Sequence, residues 1–468
     1  MFPFFKRSKP KVTVIGLDGV PCTLLRRFAE DGTMPFVSRL AGQGHLSPMH
    51  VTLPEISAVS WTSFMTGANP GVHGIFGFTD LVPGGKDQRF PNFRDVKAPT
   101  FWDRLGQKGR KCVVINQPAT YPARPIPGIL VSGFVALDLR KACFPARYFP
   151  DLKRLGYELD IDTRRARSDH AYLMHALRSS LEGRRKAVDL FWDEDWDYFQ
   201  VVVTGTDRLQ HYLWRAIEDR SHPLHGEVLD YYRRVDSFVE EVVGRHLKKT
   251  GRGQGETELP SGLFLLSDHG FTGIEKEFYL NAWLRGENYQ EDNPQSPAKP
   301  SEIIPNPQSA IRNPQFLDMD TRDATPRKTL HDLSPSTRVF ALDPNRLYFN
   351  RRDRFADGCV EAKDIPALCS EITAKLLALR HDGKPVVQRV LTRDEAFSGP
   401  QASHGPDLIA LTHYGFDAKG SLDRREAFAD TDLQGMHTWD DAFFLSADAS
   451  PPHLNIVDLA GLMEAALV

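Results

Sequence analysis

Leu263-Phe264-Leu265-Leu266-Ser267-Asp268-His269-Gly270 decides the fold. Consecutive apolar residues read as a strand buried on both faces, the kind that fills the parallel sheets of α/β proteins. The run ends in a carboxylate beside an imidazole, and the C-terminal edge of such a sheet is where these folds place their chemistry. Oxygen and nitrogen donors together suit a divalent transition metal. An Asx turn in which Asp268 only caps the next segment accounts for Asp-His-Gly equally well, so the choice falls to the rest of the chain.

Three further segments weigh on that choice. Val12-Thr13-Val14-Ile15-Gly16-Leu17 is a β-branched apolar run that delivers Asp18-Gly19 at its end. Val201-Val202-Val203 passes through Thr204-Gly205-Thr206 into Asp207-Arg208-Leu209-Gln210-His211. Asp207 and His211, four apart, share one helical face and can hold one ion together, although on a surface helix the same spacing makes only a weak ion pair. Far downstream, His437 in Gly435-Met436-His437-Thr438 gains a role only in the company of the others.

A hydroxyl completes the set. In Leu53-Pro54-Glu55-Ile56-Ser57, the serine precedes an apolar stretch that Gly67 closes, so it stands at an N-cap or first-turn position. Capping is the commoner use of serine there. The alternative is a nucleophile at a helix end whose N–H groups and dipole receive a phosphate, activated by a neighbouring divalent ion. Thr52, the rival hydroxyl, lies about one turn too early for that seat.

Taken in order, Leu17-Asp18-Gly19, Ser57 through Thr66-Gly67-Ala68-Asn69-Pro70-Gly71-Val72-His73-Gly74-Ile75, Thr206-Asp207 with His211, Ser267-Asp268-His269-Gly270 and Gly435-Met436-His437 resemble the alkaline phosphatase superfamily. Within it they are most similar to the type I phosphodiesterase/nucleotide pyrophosphatase group. The resemblance implies an alkaline phosphatase-like α/β fold with a central, mostly parallel sheet flanked by helices. It implies two divalent ions, zinc first and manganese or iron as alternatives. One would be held by Asp18, Ser57, Asp268 and His269, the other by Asp207, His211 and His437. Ser57 would be the catalytic nucleophile on a small-molecule phosphate ester, a phosphodiester before a monoester, through a phosphoseryl intermediate that water hydrolyses.

The chain departs from family patterns in ways that narrow the substrate. Where nucleotide pyrophosphatases carry a phosphate-binding asparagine, it reads His73-Gly74-Ile75-Phe76-Gly77-Phe78-Thr79; where bacterial alkaline phosphatases carry an aspartate before the nucleophile, it has Ile56. A formylglycine sulfatase, marked by Cys-x-Pro-x-Arg or Ser-x-Pro-x-Arg, is set aside on the expectation that the chain lacks either pattern at its nucleophile. A phosphotransferase such as a cofactor-independent phosphoglycerate mutase is disfavoured because residues 68–195 hold no large inserted domain. A non-catalytic metal-stabilised scaffold would have lost the hydroxyl or several ligands, and none is lost. His73 is expected to be structural, its ring bonded within its own turn.

Composition excludes other classes. With 58 Lys and Arg against 61 Asp and Glu, the net charge of −3 supports neither nucleic-acid binding by charge nor a polybasic membrane face. Five cysteines, never in a Cys-x-x-Cys pair, argue against a thiolate metal site and favour a reducing, cytoplasmic compartment. No apolar run approaches the roughly 18 residues of a transmembrane segment. The basic, Phe-containing residues 1–11 read as a leader or as packing on the fold.

Organisation follows from the same signals. Residues 12–135 read as the first part of the catalytic core. Residues 136–195, with Arg164, Arg165, Arg167, Arg178, Arg184 and Arg185, read as a helical cap whose arginines form a solvated face. Residues 196–286 continue the core. Residues 287–335, dense in proline from Pro294 to Pro326 and carrying an Asn-Pro-Gln echo at Asn306 and Asn313, read as a mobile insertion. Residues 336–468 read as the C-terminal part of the core, opening with a hairpin that turns at Asp343-Pro344-Asn345.

Overall fold

The computed structural model describes residues 10–252, 258–294 and 328–467. The chain forms two compact units, one of residues 1–67, 99–271 and 437–468, the other of residues 68–98 and 272–436. The leader (residues 1–9) and the centre of the Pro-rich segment (295–327), with its Asn-Pro-Gln echo, lie outside the described residues.

The first unit is built on an eight-stranded sheet in the order His45–Met49, Ala442–Ser446, Leu263–Leu266, Val12–Leu17, Tyr198–Val203, Cys112–Gln117, Gly128–Ser132, Cys143–Phe144. The five strands from Leu263–Leu266 to Gly128–Ser132 run parallel. Both margins are antiparallel, so the sheet is mixed and the expectation of a mostly parallel one holds only for its centre. Val12–Leu17, Tyr198–Val203 and Leu263–Leu266 are buried along their whole length, as their unbroken apolar character requires. Their register aligns Leu17 with Val203 and Gly16 with Leu266. Residues just beyond these positions, Asp18, Thr204-Gly205 and Ser267-Asp268, therefore leave the sheet side by side at one edge.

The arginine-rich segment expected to cap the site is instead a layer of this unit. Helix His170–Phe191 lies against strands Cys112–Gln117 and Tyr198–Val203 and against helices Gly205–Glu218 and His225–Thr250. Leu173, Leu177, Leu181, Ala187, Val188 and Phe191 form its buried stripe, and an apolar stripe of that width drives a helix onto a sheet. Arg184 is buried too and donates to the carbonyls of Glu158 and Leu159. Arg178 and Arg185 pair with acidic residues of the neighbouring helix, Glu227 and Glu241.

The second unit has sheets of its own, which corrects the assignment of residues 336–468 to the main core. The hairpin Val339–Leu342/Arg346–Phe349 forms as expected, with Leu342 opposite Arg346, but it pairs onward with Leu408–Thr412 and then Val387–Thr392. Helix Ile365–Ala378 covers this sheet through Leu368, Ile372 and Leu376, which join Leu347, Phe349 and Leu408 in a separate apolar cluster. Only residues from His437 onward return to the first unit. Both described flanks of the Pro-rich segment are packed, with Tyr289, Gln290, Leu330 and Leu333 all buried. Among the described residues no helix is long and apolar enough to cross a membrane.

One contact couples sheet packing to the strand edge. Gly16 faces Trp61, and a Cβ added at Gly16 would lie 2.6 Å from Cη2 of the indole. Gly16→Val should therefore lower stability by about 1–3 kcal/mol, the usual cost of overpacking. A shift of the urea midpoint of the Gly16→Val protein relative to the parent measures it, and an unshifted midpoint contradicts the packing described.

Candidate metal centre

Asp18 follows the Val12–Leu17 strand directly and is almost fully buried. Its Oδ2 accepts from Trp61 Nε1 at 3.1 Å, and its Oδ1 lies 3.4 Å from the Ser57 hydroxyl. Gly19 then turns the chain with φ of 70°, a left-handed conformation that costs glycine little. A Cβ there would meet His269, Phe271 and Asp207 at 3.2–3.3 Å. The turn brings the Gly19 N–H to Asp268 Oδ1 at 3.1 Å, so the first strand's exit fixes the carboxylate of its neighbour.

Ser57 is the first residue of helix Ser57–Thr66, whose N-cap is Ile56 without any side-chain cap. The hydroxyl therefore does not cap. It lies 3.1 Å from His269 Nε2 and 3.4 Å from Asp18 Oδ1. Trp61, four residues on, shares the helical face of Ser57 and holds the far oxygen of the same aspartate. Thr52, the rival hydroxyl, bonds to Ser63 at 2.7 Å.

A second group forms where helix Gly205–Glu218 leaves the Tyr198–Val203 strand. Asp207 Oδ1 lies 3.4 Å from His211 Nε2 and 3.2 Å from His437 Nε2, and the two imidazole Nε2 atoms are 3.1 Å apart. Arg208 binds the other oxygen, Oδ2, at 2.9 Å. His437 Nδ1 lies 2.8 Å from the Glu55 carbonyl, and His269 Nδ1 lies 3.1 Å from the Gly270 carbonyl. A carbonyl can only accept, so each Nδ1 carries the proton and each Nε2 presents a lone pair.

Lone pairs of imidazole thus face carboxylate oxygens, an arrangement that a cation between them reconciles. Asp18, Asp268 and His269 bring one donor atom each within 4.8 Å of one another, and so do Asp207, His211 and His437. Asp207 Oδ1 and Asp268 Oδ2 are buried and make no hydrogen bond. Orphaned buried acceptors of this kind call for an unrepresented partner, and neutral imidazole with carboxylate is a donor set for a divalent ion. The residues present therefore fit two ions. All seven positions singled out in the sequence, Asp18, Ser57, Asp207, His211, Asp268, His269 and His437, meet here in the first unit.

The electrostatics carry the same message. Burial, then the charges of Asp268 and Asp207, push the Asp18 carboxyl well above the usual carboxylate range. Burial also raises Asp268, to about 7, with Asp207 contributing. Burial acts to raise Asp207 as well, but His211, His437 and Arg208 outweigh it and hold that carboxyl well below its ordinary value. His269 falls to about 4 through burial and the nearby His437, and burial lowers His437 too.

Sequence reasoning missed three contributors. Trp61 could have been found from its spacing to Ser57, whereas Asp160, which binds Arg208 at 2.7 Å, carries no sequence signal toward a partner 48 positions away. The Glu55 carbonyl is invisible because main-chain acceptors are not encoded by residue type. His73 is structural as expected, with Nδ1 accepting from the Ile75 N–H and burial lowering it to about 3.

The ground for setting aside a sulfatase also changes, because Cys143-Phe144-Pro145-Ala146-Arg147 does fit the Cys-x-Pro-x-Arg spacing. Cys143 lies on the outermost strand of the sheet, four strands from Val12–Leu17, or about 19 Å at about 4.8 Å per strand. Its thiol contacts the Pro145 carbonyl, and burial raises it to about 11. Location, not absence of the pattern, excludes that cysteine from the site.

Solved structures share this architecture. A phosphonoacetate hydrolase from Sinorhizobium meliloti 1021, in complex with phosphonoformate, matches with a TM-score of 0.62 at 17% identity, over 99% of this chain and 97% of that one. An inactive form of murine ectonucleotide pyrophosphatase/phosphodiesterase 5, in complex with AMP, matches with a TM-score of 0.55 at 12% identity, over 98% and 95% of the two chains. The wild-type alkaline phosphatase PafA matches with a TM-score of 0.55 at 14% identity, over 98% and 96%. At such identities the likeness establishes the fold. A search among curated proteins gives no match. The family model of type I phosphodiesterase/nucleotide pyrophosphatase matches residues 12–440, nearly the whole chain, and the protein therefore belongs to that family of hydrolases acting on phosphoric ester bonds.

Proposed function

We propose that the protein is a two-ion phosphodiesterase in which Ser57 is the nucleophile. The observation that carries this reading is the position of the Ser57 hydroxyl, 3.1 Å from His269 Nε2 and 3.4 Å from Asp18 Oδ1, at the first position of its helix. Asp18, Asp268 and His269, with Ser57 itself, would hold one ion; Asp207, His211 and His437 would hold the other. Divalent ions in such a pair, zinc before manganese or iron, supply Lewis acidity at the attacking and leaving oxygens of an in-line displacement.

The chain's own groups do the rest. Ser57, whose hydroxyl would be acidified by the ion it helps to hold, gives up its proton to solvent water and keeps an oxygen lone pair for phosphorus. The N-terminal end of helix Ser57–Thr66 offers its dipole to the phosphoryl oxygens. Trp61, on the same helix as Ser57, holds the far oxygen of Asp18, so that carboxylate cannot swing away from the helix when the serine ionises. Attack by Ser57 forms a phosphoseryl ester and expels the first alcohol; water then cleaves that ester, and two inversions give retention at phosphorus.

Activity toward para-nitrophenyl phenylphosphonate, a diester analogue, should exceed that toward para-nitrophenyl phosphate, with phosphonoacetate included because one of the similar folds hydrolyses it. Ser57→Ala should lose about a thousandfold or more in kcat/KM, equivalent to about 4 kcal/mol of transition-state stabilisation. Unchanged diester turnover in that variant removes Ser57 from the mechanism.

Metal analysis gives an independent check. The parent should bind two zinc or manganese ions per chain, and His211→Ala and His437→Ala should each bind one. Full occupancy in both variants overturns the assignment of the second group.

Burial of the carboxylates also predicts a pH signature. Asp18 and Asp268 are raised in the folded protein, so between their unfolded and folded values the native state binds more protons than the unfolded chain. Stability without metal should therefore increase as pH falls from 8 to about 6.5, below which His269 and His437, held lower in the folded protein than in the unfolded chain, contribute the opposite slope. Asp207, held low, remains charged over that interval and contributes no slope. Ion binding requires the carboxylates unprotonated, so the melting-temperature increment given by zinc should shrink over the same interval. Melting curves with zinc and with chelator at pH 8, 7, 6 and 5 test both signs.

A further inference from the structure

We propose that Arg208, gripped by Asp160, is a positioning residue for the second ion group. It occupies one oxygen of Asp207 so that the other is presented between His211 and His437. The inference rests on the reading that Asp207, His211 and His437 hold an ion, and it adds to that reading what makes the three converge.

Arg208 is 5% exposed, and its guanidinium spans two carboxylates. Nη1 donates to Asp207 Oδ2 at 2.9 Å, Nη2 to Asp160 Oδ2 at 2.7 Å, and Nε to Asp160 Oδ1 at 3.4 Å. The Asp160 side chain is itself buried, and its Oδ1 also accepts from the Ile161 N–H at 2.9 Å. The guanidinium centre lies 4.3 Å over the Phe134 ring, which closes one of its faces. Arg208 is therefore fixed on both edges and one face, in a place where a flexible cation would have no reason to be buried.

The consequence appears at Asp207. Its Oδ2 is used, while its Oδ1 makes no hydrogen bond and points at two imidazole Nε2 atoms at 3.2 and 3.4 Å. A carboxylate on a first helical turn can rotate about its last torsion. With Oδ2 held, that rotation is blocked, and Asp207 offers one oxygen in one direction. Arginine suits this task and lysine does not, because a planar fork can serve two carboxylates at once and stays charged at every accessible pH. An ammonium group could satisfy Asp207 or Asp160 but not hold one against the other. The positive charge also offsets part of the repulsion among Asp207, Asp18 and Asp268 without entering the ion site itself.

Cobalt titration of the metal-free protein, followed by visible absorption and by chelator competition, tests this directly. In the parent, two equivalents should bind with separable spectra. In Arg208→Lys and Asp160→Asn, the first equivalent should bind as in the parent, while the second should weaken by about ten- to a hundredfold, the usual effect of losing a group that orients a ligand, with an altered absorption band. A purely structural ion pair predicts the reverse: a lower melting temperature of the metal-free variants, with affinity and spectrum of the second equivalent as in the parent. That result overturns the inference. If Arg208→Lys fails to fold, Asp160→Asn, which keeps the arginine, decides alone by the same two readouts. If the parent itself binds one equivalent or none, the two-ion reading fails, and the failure is distinguishable from that of Arg208.

Discussion

Three aspartates, Asp18, Asp207 and Asp268, buried together at one edge of a sheet, are the constraint on which the site depends. Removing a carboxylate from water is costly, and placing three beside one another adds repulsion. Two of them respond by rising, Asp18 well above the usual carboxylate range and Asp268 to about 7, while the third is held low because two imidazoles and a guanidinium surround it. No arrangement of packing alone relieves this. The imidazoles turn lone pairs, not protons, toward the oxygens, so the protein's own groups complete the site only in part. The fold stores a demand for cations, and the rest of the unit must be rigid enough to sustain it.

That rigidity comes from short links between main chain and site. Gly19 offers its N–H to Asp268, the Glu55 and Gly270 carbonyls set the tautomers of His437 and His269, and the Thr206 hydroxyl returns to the Asp18 carbonyl at 2.6 Å. Three of the four join segments far apart in sequence, and the two that link Gly19 to Asp268 and Thr206 to Asp18 depend on parallel strand register. Because Leu17 lies beside Val203 and Gly16 beside Leu266, the residues that follow are neighbours before any side chain is considered. Register is therefore the step at which sequence becomes site, since a slip of one residue would send alternate side chains to the opposite face.

Much of this was legible in the amino-acid sequence because the informative residues sit at strand ends. An apolar run that stops at Asp18, Asp207 or Asp268 announces both a buried strand and a charged exit. Spacing of four announced His211. The division into units was not legible, because residues 68–98 and 272–436 use the same apolar alternation as the main core, and nothing local says which sheet a strand joins. The arginine-rich helix shows a related limit: its charges point to a solvated face, while Leu173, Leu177, Leu181 and Val188 supply the helical period that carries it onto the sheet. Arg208 stood in plain view beside Asp207, but its partner Asp160 comes from a segment that only tertiary structure brings near.

The two ligand groups differ in how they are held, and the difference bears on their use. Asp18 and Asp268 are steadied by neutral donors, the Trp61 indole and the Gly19 amide, so that group retains two formal negative charges. Asp207 is steadied by a cation, so its group, with two neutral imidazoles, has only one charge before Arg208 is counted. A dication would be fully neutralised by the first group and only partly by the second. The serine hydroxyl lies against the first, where in the proposed mechanism its oxygen would become the nucleophile. In the same proposal the residual positive potential would belong to the second, which would accept charge carried by the phosphate ester. The choice of neutral or charged support for each aspartate thus divides one edge of the sheet into two poles.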